Sequence, residues 1–176
     1  MLKKVASPPA WLDVPSIECV HSVSGCVSED FFDYIPLWRH NGWWRFDTPS
    51  ILKNIVEEQV LNPESFTLFY YEAFEQEYDA EDNEWQPIRP EPSFPTAVVP
   101  PSTMHLSGYD VVTFSVHNAP ECSPLSCNML AQTLVANRFC LFENFESAYD
   151  AVAGGKFDDS EPGPYRVIAV YAVRPD

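Results

Sequence analysis

Phe66-Thr-Leu-Phe-Tyr-Tyr-Glu-Ala-Phe-Glu-Gln-Glu-Tyr78 is the stretch on which the fold turns. Thirteen residues rich in aromatics, with no Gly or Pro, predict one long strand. Asp79 to Asn83 then makes a polar turn, and Trp85-Gln86-Pro87-Ile88 returns as the second arm of a hairpin. Pro87 has no N–H to give a ladder, so this arm belongs near a sheet edge. Six prolines follow between 87 and 101: Pro87, Pro90, Pro92, Pro95, Pro100 and Pro101. They make a loop or a polyproline II excursion rather than a helix.

Downstream, Tyr109 to Val116 reads as a strand and Ser123-Pro124 opens a helix through Leu125, Met129, Leu130 and Leu134. Phe139 to Phe142 suggests a short strand. Asn144 caps a helix with Phe145, Ala148, Tyr149 and Val152 on one face, and Gly154-Gly155 ends it. Tyr165 to Val173 alternates and forms a closing strand. Upstream, Ile17 to Ser24 suggests a first strand, and Ser28 caps a short helix carrying Phe31, Phe32, Ile35 and Trp38. After the Asn41-Gly42 turn comes a strand at 43–46. Thr48 and Pro49 then start the best-signalled helix, with Ile51, Leu52, Ile55, Val56 and Val60 at helical spacing until Asn62-Pro63. Strands and helices intersperse without strict alternation. The expectation is therefore an α+β fold: a mixed, mainly antiparallel sheet with about three to four helices packed on it. The 176 residues read as one compact domain with a Pro-rich loop at 87–101.

Composition narrows the functional classes. With 45% hydrophobic and 14% aromatic residues the chain can build a core and is not disordered throughout. Ten Lys and Arg against 26 Asp and Glu give a formal charge of -16, which argues against nucleic-acid binding and against attraction to anionic lipid. No apolar run approaches the ~18 residues of a membrane span. The Met1-Leu2-Lys3-Lys4 start lacks the apolar segment of a signal peptide, and five Cys, an odd number, read as reduced thiols. Those features together read as cytoplasmic. Neither a P-loop, a dinucleotide fingerprint, HExxH, an EF-hand loop nor a GxSxG elbow is present. No cofactor is expected.

Three constellations remain. Between Glu72 and Glu91 stand eight carboxylates and one cation, Arg89. Alternation along a strand puts Glu75, Glu77 and Asp79 on one face, with Phe74 and Tyr78 opposite. Glu81, Asp82, Glu84 and Trp85 continue the pattern. An acidic face beside aromatic anchors suits a basic protein partner, as in inhibitors and bacterial-type immunity proteins; the plainer alternative is a solvated hairpin whose charges protect a sheet edge. A second reading is thiol- or metal-dependent catalysis by Cys122 or Cys127 with His117 as base, since a thiol at a helix N-terminus feels the dipole. The same residues, joined by Cys140, Cys19 or His21, would offer zinc donors, although no CxxC knuckle is present. The third is a small-ligand site across Trp38–Phe46, using His40, Arg45 and a Trp. Asp158, Asp159 and Glu161 complete the carboxylate pairs and read as a solvated turn.

Overall fold

The computed structural model describes residues 2–3, 5–24, 50, 54, 57–58, 66–76, 78–91, 99–113, 122–160 and 163–174. Its main sheet contains β1 (Leu2–Lys3), β2 (Thr67–Glu75), β5 (Met104–Thr113) and β6 (Tyr165–Val173) in the order β1-β2-β6-β5, with every pair antiparallel. A separate two-stranded ribbon pairs β3 (Tyr78–Asp79) with β4 (Glu84–Trp85). The sequence of β6 has a physical cause. Antiparallel strands with one wet face alternate polar and apolar residues, whereas Tyr-Arg-Val-Ile-Ala-Val-Tyr-Ala-Val is apolar at nearly every position. This strand lies between two neighbours and is covered on both faces. Tyr165, Val167 and Ala169 enter one core with Phe74, Val111, Leu125, Ala148 and Phe157. Ile168, Val170 and Ala172 enter a second with Val23, Phe69, Ala73, Val112 and Leu141.

The expectation of three to four helices is contradicted. Among the described residues two α-helices are delimited, α1 (Pro124–Cys127) and α2 (Phe145–Ala153), and only the second exceeds seven residues. The long helix expected from Ser123 through Leu134 stops after one turn. Met129 adopts a left-handed conformation at φ 61°, which interrupts the helical path before a 3-10 turn at Leu130–Gln132. The helix expected after Ser28 lies outside the described residues. Of the one expected from Thr48 to Val60, only Ser50, Asn54, Glu57 and Glu58 are described, and their backbone is helical. Expected strands also change, and β5 begins at Met104 rather than at Tyr109. β2 ends at Glu75 instead of running to Tyr78. Ile17–Ser24 contributes one bridge, Val20 to Ala6, and Phe139–Phe142 contributes one, Phe142 to Tyr109.

Helix α2 is as its caps dictate. Asn144 Oδ1 accepts from Ser147 N at 2.8 Å, and Glu146 occupies the first turn, where the dipole favours a carboxylate. Gly155 at φ 64° turns the chain away. Ala148 and Ala151 face the core, while Phe145 rests on Phe74 at a ring separation of 4.9 Å.

Edge strand β5 is shielded by a loop held through one amide. Asn137 Nδ2 donates to Ser107 O at 2.8 Å, and its Oδ1 accepts from Phe139 N and Leu141 N at 2.9 and 3.2 Å. Phe142 and Tyr109 exchange two backbone hydrogen bonds of 2.8 Å. The β5–β6 register shifts between Leu106 and Gly108, and Gly108 sits at φ 143°, where L-side chains are strained. A Cβ there would lie 2.6 Å from Phe142 O and 2.8 Å from both Asn137 Nδ2 and Leu141 Cβ. Gly108→Ala is therefore expected to cost about 3 kcal/mol from backbone strain and crowding. Denaturant unfolding checks this, and an unchanged midpoint would remove the constraint.

Candidate functional site

The acidic residues of the ribbon come together through its own turn. Asp79 Oδ1 accepts from Glu81 N at 2.8 Å and Asp82 N at 3.3 Å, an Asx turn that folds the chain back. Asn83 completes the reversal at φ 56°. Glu81, Asp82 and Glu84 are exposed beside Trp85, which leaves 47% of its surface open. Tyr78 and Asp79 form β3 opposite Trp85 and Glu84. Glu75 is apart from this group: it closes β2, with Arg166 of β6 as its cross-strand partner. Glu77 lies outside the described residues. The strand break after Glu75 moves Asp79 into a different sheet, so the acids meet at a turn rather than along one strand face.

The cysteine stretch is divided. His117 lies outside the described residues, as does the Trp38–Phe46 segment with His40 and Arg45. Cys122 is tied to the end of β5: Thr113 N donates to its carbonyl at 2.9 Å, and its Sγ donates to Asn128 Oδ1 at 3.5 Å. Cys127 Sγ lies 3.3 Å from Ser24 Oγ. Helix α1 has four residues and begins with buried Pro124, so few peptide dipoles sum at Cys122. Among the described residues no three His, Cys, Asp or Glu side chains converge as metal ligands. Asp158 and Asp159 lie in the turn after Gly155, and Glu161 is outside the described residues.

Around these thiols lies a buried polar tie that the sequence reading missed. Asp110, fully buried on β5, accepts from Val23 N at 2.7 Å and from Ser123 Oγ at 2.6 Å. Ser123 Oγ also receives Ser24 N at 3.2 Å. These bonds fasten the N-terminal segment and the start of α1 to the sheet. His21 is likewise structural in its contacts: Nδ1 is 3.1 Å from Ser107 Oγ, and the ring stacks on Phe139 at 4.3 Å. Burial pushes the Cys140 thiol up to about 12, with the charges of Asp110 and Cys127 acting in the same direction. Burial also raises Cys19, beside Glu18. Since the thiolate is the nucleophile, native protein at pH 8 is expected to leave Cys140 unmodified by an alkylating reagent until it unfolds. Peptide mapping after timed alkylation measures this, and rapid native labelling of Cys140 would contradict it.

A further group was equally invisible in sequence. On the sheet face that carries α2, Tyr171 donates to Glu72 Oε2 at 2.9 Å, and the Tyr70 and Tyr171 rings are 5.8 Å apart. Cross-strand register places Glu72 and Tyr109 on either side of Ala169. All three phenols are raised above the usual tyrosine value, in each case first by burial. For Tyr171 the next cause is its hydrogen bond to Glu72; for Tyr70 it is the Glu72 charge; for Tyr109 it is the charges of Glu146 and Glu72. A phenol with a raised folded pKa stabilises the fold below its unfolded pKa and loses that contribution as pH rises through the folded value. Stability should thus fall as pH climbs past about 10, and Tyr171→Phe should flatten the fall. Parallel melting curves of the two proteins between pH 8 and 11 test the sign; identical slopes would refute it.

Compared with known protein families, curated proteins and solved structures, the chain matches none. Among the described residues no helix is long and apolar enough to cross a membrane.

Proposed function

We propose that the protein is a non-enzymatic binding protein, of the inhibitor kind, whose acidic ribbon captures a basic protein partner. The observation that carries this reading is the exposed turn Asp79–Glu84 with half-open Trp85 beside it. Carboxylates at an exposed turn attract a cationic surface over roughly a Debye length, about 8 Å in physiological salt, and speed encounter. A half-exposed indole supplies area that such a partner would desolvate, and tryptophan is enriched among residues dominating binding energy. The overall charge of -16 adds to the attraction.

Capture from lysate by immobilised protein tests the reading against two charge variants. Wild type should retain basic proteins at low salt and release them at high salt. The E81K/D82K/E84K variant should lose about tenfold of that retention. An E143K/D158K/D159K control makes the same change in net charge at residues outside the ribbon and should lose little. Equal loss in both variants would mean that the charge acts only as a diffuse field, and the ribbon would have no specific role.

A further inference from the structure

Between the sheet and the acidic ribbon stands one amide. The β2–β6 ladder ends with Glu75 opposite Arg166, and one more step in the same register sets Gln76 opposite Tyr165, the first residue of β6. There the contact is made by a side chain. Gln76 Oε1 accepts from Tyr165 N at 3.3 Å, and Gln76 Nε2 donates to Gln86 O at 3.5 Å. Gln86 directly follows Trp85, the last residue of β4. One side chain therefore joins the strand that leaves the sheet, the arm that returns from the ribbon, and the start of the central strand. Phe74 before this tie and Ile88 after it enter the core that also contains Tyr165. The ribbon needs such a base. Its ladder has two residue pairs, Tyr78 with Trp85 and Asp79 with Glu84, and even a longer isolated hairpin is marginally stable in water. At the far end the turn is closed by Asp79 Oδ1 and by Asn83 in its left-handed conformation. At the near end the closure falls to Gln76.

We propose that Gln76 is a positioning residue for partner capture, holding the ribbon in one pose against the sheet before any partner arrives. The inference rests on the reading of the ribbon as the capturing surface, and it adds how that surface is kept ready. A loose loop must be ordered when a partner docks, and that ordering subtracts from affinity; a ribbon already fixed at both ends avoids the loss. Variants of one interface differ mainly in how fast the complex comes apart, so the effect of Gln76 falls on release rather than on encounter. Encounter is set by the carboxylates, to which the uncharged amide of Gln76 contributes nothing.

The test uses the full chain, with backbone amide NMR relaxation and the rate at which basic proteins captured from lysate leave the immobilised protein at low salt. Order parameters across Asp79–Glu84 should be about 0.85 in the natural chain and fall below about 0.6 in Gln76→Ala, while those of β6 stay unchanged. Captured proteins should leave Gln76→Ala about threefold faster. Gln76→Glu is the sharper variant. It keeps an acceptor for Tyr165 N, loses the donor to Gln86 O and adds a negative charge. A diffuse field then predicts slower release, whereas the tie predicts release about threefold faster. Unchanged order in the ribbon of Gln76→Ala, or slower release from Gln76→Glu, would overturn the proposal. Order lost equally in β6 would make Gln76 a general support of the fold and would also overturn it. The E81K/D82K/E84K variant separates the two readings. Capture lost there, with release unchanged in both Gln76 variants, overturns this inference alone; capture kept there overturns the ribbon reading and this inference with it.

Discussion

Everything in the sheet depends on β6 lying between β2 and β5. These two strands do not touch each other in the ladder; they are joined to one another only through Tyr165–Val173. The constraint is hydrophobic and two-sided. A strand covered on both faces contributes its side chains alternately to two cores, and each buried aliphatic side chain is worth about 1.5–3 kcal/mol relative to exposure. Val167 and Ala169 join the core under α2, while Ile168 and Val170 join the one under the N-terminal segment. A one-residue slip would exchange the two sets and mismatch both cores at once. The register is therefore set by packing on two sides rather than by any turn, since no hairpin loop connects β6 to its neighbours.

The polar ties occupy the places where that packing stops. Asp110 and Ser123 hold Val23 and Ser24 against β5, and Asn137 holds the 137–141 loop over the Gly108 irregularity. A buried carboxylate is costly without donors, and here two donors from different segments converge on one oxygen. Such bonds fix which segments lie against the edge of β5.

Local signals made part of this legible in the sequence. The runs of β2 and β6 read directly as strands, β5 only from Tyr109 onward, and Asn144 with Gly154-Gly155 marked α2 at both ends. Helix content was overread because Ser123-Pro124 announces a start, while the stop after Cys127 depends on a left-handed methionine that no local rule singles out. β6 read as an alternating strand, but nearly every position is buried, because nothing local reveals a second covered face. The acidic run was visible as composition; its gathering at a turn depended on where β2 ends. Glu72 and Tyr171 are 99 residues apart, and Asp110 and Val23 are 87 apart, so neither pairing leaves a local trace.

The position of β6 in the chain also orders events in time. A ribosome releases β2 and β5 before the strand that joins them, so a nascent chain holds Thr67–Glu75 and Met104–Thr113 without the ladder that satisfies them. Their aromatic edges stay open until residues 165–173 emerge, and such unpaired edges are where growing chains associate wrongly. Closure then joins contacts distant in sequence, the kind that form slowly. The carboxylates of the ribbon emerge shortly after β2. Beyond any role in recognition, they place like charges beside an unfinished strand on every chain, so that two immature copies repel each other while each waits for its missing centre.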